Sequence, residues 1–441
     1  MEYLSSNKIA VIDLGSSEIA EEELDEGLVR ENIGGAGINR YLYHKYESDD
    51  PLVIGSGLLT GTLVAGSALA VMTAKSPRTG SLCHAPITLT AGMELKFSGF
   101  DYLVIKGVSS KPVFLWLHDG IADIQDAGDL WGKDTWEATE SVRKAVGDDL
   151  VQVLAIGPAG ERGSGLAQVG NNYWASGDTW GFGKLLGRKK LKLIAVRGMG
   201  LLEIADPEGF IAQSQELLTE IKGGGWAGKA GIGDILAALG EEDGPSWLAP
   251  LIHRHKACFN TPYAANTFVF LDEDPKRMTE PETPEPGMLL TRFSDLLGFK
   301  QCGLSALESG RILKECARMG LDGTAVSSLC LKAGLKDLEG IRNFLPGADG
   351  PVDGQAAGPF SSFAPGKPLF ADFGLAPDGS QDAAWWARRQ AVAYLFGIHP
   401  LFILMAPELT EEKLLELANL GTGLEVTAET LDQAISEVVR G

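Results

Sequence analysis

The stretch GSGLLTGTLVAGSALAVMTAKSPRTG (55–80) decides how the first half of the chain is read. It contains the end of one short apolar run, LVIGSGLLTG (52–61), and the whole of another, ALAVMTAKSP (68–77). Glycine and proline bound both runs, so the spacing predicts two strands joined by a glycine turn. Gly55, Gly57 and Gly61 are spaced GxGxxxG, near a dinucleotide-binding loop. Such a loop must open a helix whose N-terminus meets the pyrophosphate. Here the chain turns back into a strand, so the glycines are read as a turn.

Working outward, four more runs have the same character: FDYLVIKGV (100–108), KPVFLWLHDG (111–120), LVQVLAIGP (150–158) and LKLIAVRGM (191–199). Between them, WGKDTWEATESVRKAVGDD (131–149) reads as a helix, with Asp134 or Thr135 as N-cap, Glu137 early and Gly147 after the last turn. Past Asp206-Pro207 the spacing becomes helical, in PEGFIAQSQELLTEIKGG, GDILAALGEE and DLLGFKQCGLSALESGRILKECARMG. AAWWARRQAVAYLFGIHPLFIL (383–404) reads as a buried helix. Thr410 and Thr427 are natural N-caps of two last helices, and Lys413 and Thr430 at N3 make neither a full capping box.

The expected fold is α+β: a β-rich part over residues 1–205, then a mostly helical part over 206–441. Segment 272–288, acidic and rich in proline, reads as an exposed loop. Segment 346–380, rich in Gly, Pro and Ser, reads as a linker or long surface excursion.

With 441 residues, 44% hydrophobic and 22% charged, the chain has ordinary globular composition and length for two or three domains. A formal charge of -21 excludes nucleic acid and anionic membrane as main partners. The start, MEYLSSNKIAVIDL, lacks the basic and apolar regions of a secretory signal, and no apolar run suits a membrane helix. Five scattered cysteines, Cys83, Cys258, Cys302, Cys316 and Cys330, fit a reducing compartment better than a disulfide framework. A cytoplasmic protein is expected.

Other motifs fail on chemistry. GDTWGFGKLL (177–186) has a P-loop look, but its spacing to Lys184 is one residue too long, and Leu185 stands where a magnesium-binding hydroxyl is needed. His253 and His255 flank Arg254 without the i, i+4 spacing of helical metal ligands, so a solvated turn is expected.

Taken together, several segments resemble the aldehyde ferredoxin oxidoreductase family. They are ENIGGAGINRYLYHK (31–45), GSGLLTGTLVAGSALAVMTAKSPRTG (55–80), ELKFSGFDYLVIKG (94–107), LAIGPAGERG (154–163) and GFGKLLGRKKLKLIAVRG (181–198). A thinner likeness continues in KACFNTPYAANTF (256–268), ECARMGLDG (315–323) and YLFGIHPLF (394–402). The resemblance implies a β-rich base for a tungsten or molybdenum bis-pterin, helical parts covering it, and a neighbouring [4Fe-4S] cluster. Its reaction would be oxidation of an aldehyde to a carboxylate, with electrons passing to ferredoxin.

Carried over residue by residue, the ligand pattern is depleted. The family's CxxCxxxC run reads Cys258, Thr261, Ala265, and its distant fourth cysteine reads His399. A cubane needs four ligands, usually thiolates. The two DxxGL motifs that hold the pterins begin with Ala317 and Tyr394, although Asp322 survives beside the first. The phosphate-binding glycine turn reads Gly177-Asp178-Thr179-Trp180-Gly181-Phe182-Gly183, where Asp178 should repel phosphate and Trp180 should fill space. Vestigial pterin contacts are therefore expected at His84, Gly177, Asp178, Gly181, Gly183, Gly320 and Asp322, and vestigial cluster positions at Cys258 and His399. No cofactor is expected.

Three readings follow. The first is a non-catalytic relative that partners a catalytic paralogue or another redox subunit, or forms a homo-oligomer. The second is an oxidoreductase with an altered pterin site. The third is a small-molecule site in the vacated cavity, lined by Trp174, Trp180, His84 and His399; the competing reading is that these side chains repack the hole.

Overall fold

Short runs of buried residues, apolar on both faces, build the first half. The computed structural model describes residues 1–174, 177–226, 228–238, 240–271, 287–351, 358–360 and 383–440. Six strands form the first sheet: β1 (Lys8–Asp13), β2 (Glu18–Glu23), β3 (Leu52–Ser56), β4 (Ala70–Lys75), β5 (Leu82–Ile87) and β6 (Tyr102–Lys106), in the order β2-β1-β6-β3-β4-β5. Only β1 and β6 pair in parallel. β2 is EIAEEE, mostly exposed, and its carboxylates blunt that edge against pairing with another chain.

The second sheet contains β7 (Val113–His118), β8 (Ile121–Asp126), β9 (Gln152–Ala155), β10 (Gly170–Asn171) and β11 (Leu191–Arg197), in the order β10-β9-β11-β7-β8. Alternation in β7 sends Val113, Leu115 and Leu117 into a core shared with Ile12, Ile54, Met72 and Leu103 of the first sheet. The two sheets therefore share one apolar layer. The outer face of the second is covered by the helix Thr135–Val146 through Ala138 and Val142. Asp134 caps that helix, and with Glu137 it closes a full capping box.

The second half is mostly helical, as expected, with one small sheet that the spacing does not predict. A third, antiparallel sheet is made by β12 (Ile252–Lys256), β13 (Asn266–Phe270) and β14 (Gly287–Leu290). His253, Arg254 and His255 lie in β12 and not in a turn: the His253 ring packs 4.6 Å from Phe270, and His255 Nδ1 lies 3.1 Å from Thr267 Oγ1. The strand forms because β13 offers it an apolar partner, which local spacing does not reveal. The stretch 295–320 is helical as expected, as two helices, Phe293–Gln301 and Ala306–Met319, the second opened by a capping box of Ser305 and Glu308. Of the acidic segment, 272–286 lies outside the described residues, while Gly287 and Met288 belong to β14.

The Gly/Pro-rich segment is not simply a surface excursion. Most of it lies outside the described residues, but Pro359 O accepts from His84 N at 2.7 Å, and Phe360 is buried beside β5.

Two segments of the second half meet the first half backbone to backbone. Residues 394–399 run past the turn after β3: Leu58 N donates to Leu395 O (3.1 Å), Leu59 N to Phe396 O (2.8 Å), Leu69 N to Gly397 O (3.0 Å) and His399 N to Gly66 O (2.8 Å). Residues 317–322 do the same farther on, where Gln168 N donates to Gly320 O (2.9 Å) and Asp322 N to Leu166 O (3.0 Å). No side chain fits between such backbones. A Cβ at Gly57 would stand 2.1 Å from Gly397 N.

Gly57→Ala should therefore cost ~2 kcal/mol or more, because backbone must move to admit the methyl group. Gly132→Ala, at φ +91° with nothing within 4 Å, should cost only ~1 kcal/mol of backbone strain. Urea denaturation of both variants measures the difference, and equal losses would contradict the seam.

Candidate functional site

The cluster positions converge. Cys258, Thr261 and Ala265 lie on the loop between β12 and β13, and His399 follows the helix Ala383–Phe396; all four line one cavity with Tyr263, Leu401, Phe402 and Met405. The cavity measures about 10 Å³, room for about one water. Its groups are already engaged. Burial pushes the Cys258 thiol up, and its Sγ accepts from Asn266 Nδ2 at 3.5 Å. His399 Nδ1 accepts from the N–H groups of Leu401 (3.2 Å) and Phe402 (3.4 Å), at the start of the short helix Phe402–Met405. Burial lowers the His399 pKa to about 4, so the ring is neutral. Thr261 Oγ1 donates to Phe259 O, and Ala265 offers no donor atom. One thiol, one imidazole and this volume do not fit a four-iron cubane.

The glycine turn before the helix Phe182–Lys189 holds an anion of its own. The fully buried Asp178 carboxylate accepts from the N–H groups of Val169 (3.0 Å), Trp180 (3.0 Å), Phe182 (3.2 Å) and Gly183 (3.2 Å). Exposed N–H groups at a helix start are a ready anion site. The sequence suggests that Asp178 would repel phosphate; in the structure it takes up the donors that would bind one. Burial raises its pKa, opposed by Arg78 and those donors. The neighbouring glycines face the protein itself: a Cβ would lie 2.2 Å from Pro86 Cγ at Gly177, 3.2 Å from Arg78 Nε at Gly181 and 2.6 Å from Gln168 O at Gly183.

Trp180 is fully buried, and its Nε1 donates to His84 O at 3.0 Å. His84, on β5, shares a 2.8 Å hydrogen bond between its Nδ1 and Thr73 Oγ1, which also accepts from Asn39 Nδ2 at 3.0 Å. The His84 ring packs against Phe360 (centroids 5.7 Å) and Tyr394 (6.5 Å), and those two rings stand 4.9 Å apart. Burial, with Arg40 adding to it, lowers the His84 pKa to about 3. Tyr394, which the resemblance sets at a pterin-aspartate position, is itself buried.

Asp322 is engaged as well. It caps the helix Gly323–Lys332 through Thr324 N and Ala325 N, and pairs with Arg78 Nη1 at 2.9 Å and Arg292 Nη2 at 3.3 Å. Burial raises its pKa, but Arg292 and Arg78 outweigh that and hold the carboxyl below the usual range. Arg78 also donates to Gly165 O and Thr179 O, and Asp295 completes a buried set of two cations and two anions. Gly320, at φ +69°, ends the preceding helix. Asp322, Asp178, Gly181 and Gly183 are thus gathered around Arg78 and Gln168, and His84 lies beside Trp180. Trp174 belongs elsewhere, among Trp136, Tyr173 and Phe268, so it does not share one cavity wall with Trp180. Sequence reasoning missed Arg78, Arg292 and Phe360. Arg78 had a signal in KSPRTG; Phe360 had none. Among the described residues, no three His, Cys, Asp or Glu side chains converge as a metal site.

Residues 9–198 match the family model described as aldehyde ferredoxin oxidoreductase, N-terminal domain. A tungsten-containing aldehyde ferredoxin oxidoreductase of Pyrococcus abyssi is 31% identical over 63% of this chain and 50% of its own length. That of Pyrococcus furiosus is 31% identical over 57% and 47%. The chain therefore spans about half the length of the curated relatives it matches. A protein of Pyrococcus furiosus named aliphatic sulfonate oxidoreductase, WOR-like subunit, is 27% identical over 50% of this chain and 39% of its own. The fold also matches a chain in the active-site complex BamBC of benzoyl coenzyme A reductase with 1,5-dienoyl-CoA, at a TM-score of 0.77 and 18% identity, over 99% of this chain and 88% of that one.

The two buried histidines make stability depend on pH. Each is neutral in the folded chain and protonates in the unfolded chain near pH 6.5. The unfolded state then binds more protons, so stability falls as pH drops from about 6.5 toward 4 for His399 and toward 3 for His84. Each should contribute a slope of about 1.4 kcal/mol per pH unit in that window. Urea titrations from pH 7 to pH 4.5 should show a flatter slope for His399→Gln than for the unaltered chain; parallel slopes would contradict a buried neutral imidazole.

Proposed function

Through its N-terminal domain the chain belongs to the aldehyde ferredoxin oxidoreductase family, and on that premise we propose that it is a non-catalytic member serving as a protein partner in a redox complex. The observation that supports the reading is that the positions expected to meet a cofactor are engaged by the chain's own groups. Asp178 lies in the N–H cradle, Trp180 and Phe360 pack on His84, and the cluster positions close on about 10 Å³. The changes act in one direction: each fills space or neutralises a donor, while the backbone seam around them keeps its hydrogen bonds. Random loss would erode that seam too, since typical core changes cost about 1 kcal/mol each.

The partner fits one of three descriptions: a catalytic paralogue that holds the pterin and cluster, another redox subunit, or a second copy of this chain. Two of the similar proteins are named as a subunit and as part of an active-site complex, which supports a role in assembly. A retained oxidoreductase with an altered site has less support, because Asp322 is already bound by Arg78 and Arg292. Among the described residues no helix is long and apolar enough to cross a membrane.

Elemental analysis of protein prepared without oxygen tests the reading. Tungsten, molybdenum and iron should all be far below one atom per chain, with no aldehyde-dependent dye reduction. Stoichiometric tungsten or molybdenum, or an absorbance of bound pterin, would overturn it.

A further inference from the structure

A second cavity lies on the other side of the cluster position, sharing Tyr263, Phe402 and Met405 with it as walls. It has a volume of about 170 Å³. A dry cavity of about 150 Å³ holds a benzene ring, so this one suits a single-ring ligand. Trp226 provides an aromatic wall, set edge-on to Tyr263 at 5.0 Å and 68°. Tyr263 cannot turn away, because its hydroxyl donates to Gly231 O at 2.9 Å. Ring, thioether and phenyl surfaces thus meet in a concave space in which a planar apolar body is well matched.

The charged lining selects the other end of the ligand. Lys222 and Lys229 border the cavity, and among the described residues neither forms an ion pair. Lys229 Nζ stands 4.8 Å from the centre of the Trp226 ring, so its charge lies directly over the aromatic wall. One carboxylate, Glu408, also lines the space; behind it lies the buried Arg389 guanidinium, whose charge Glu408 already faces. Arg389 is fixed by the carbonyls of Ile403, Ala406 and Leu409. Among the lining side chains, two lysines stand against one carboxylate.

The geometry points to a binding site for a small aromatic monoanion, with its ring against Trp226, Tyr263, Phe402 and Met405 and its acid group toward Lys222 and Lys229. The site uses neither the Asp178 cradle nor the Asp322 network. It is separate from the vacated pterin region and stands whether or not the chain is catalytic. Metal content and ligand binding are measured independently, so either reading can fail alone.

Phenylacetate, phenylacetamide and phenethylamine are probes of one shape with negative, zero and positive charge. With the full chain, tryptophan fluorescence and ligand-observed NMR should show saturable binding of phenylacetate, weaker binding of the amide and weakest of the amine. Lys229→Gln should weaken phenylacetate about threefold and leave phenylacetamide unchanged, as expected for one exposed charge pair. Trp226→Leu, checked for folding by its thermal melt, should lose saturable binding of both. Absence of saturable phenylacetate binding to the unaltered chain, tighter binding of the amine, or no effect of Lys229→Gln would each overturn the site.

Discussion

The close approach of two backbone segments to the first half of the chain is the constraint on which the rest depends. Residues 317–322 and 394–399 exchange peptide hydrogen bonds with the turns at 166–168 and 58–69, with no side chain between them. Such contact fixes the distance between the β-rich and later parts to within the reach of a hydrogen bond. Trp180, Phe360 and Tyr394 are buried beside this seam. Close packing at the seam favours such burial, because an empty cavity would cost stability in proportion to its volume.

Charge follows the same rule as volume. Buried carboxylates and guanidinium groups are tolerated only when paired or hydrogen-bonded. Asp178 has four backbone donors, and Asp322 has Arg78, Arg292 and a helix start. The N–H groups at this helix start face a carboxylate of the same chain. The buried imidazoles His84 and His399 stay neutral for the same reason: burial penalises their charged form.

Much of this was legible in the sequence, and what was not has physical causes. The runs at 52–61 and 191–199 became strands and the Asp134 helix formed, because local patterns of burial and capping decide them. The family of the first part was readable from ordered motifs. The third sheet was not, since β12 is a polar IHRHK that becomes a strand only by pairing with β13 across the loop of Cys258. Phe360 was hidden in a stretch whose composition says loop; its burial depends on His84 and Tyr394, far away in sequence. Asp178 was visible as an odd acid in a glycine turn, but its role required the direction of four N–H groups. Charge type alone suggested repulsion, and geometry turned the same residue into the occupant.

The central claim is that this frame closes on its own side chains where its relatives' frame would hold a cofactor. Diffraction from crystals of oxygen-free protein, recorded at the iron and tungsten absorption edges, tests that claim most directly. The account predicts side-chain density for Trp180 and Phe360 against His84, and no anomalous peak among Cys258, Thr261, Ala265 and His399 or beside Asp322. An anomalous peak at either place, with those rings displaced, would contradict it.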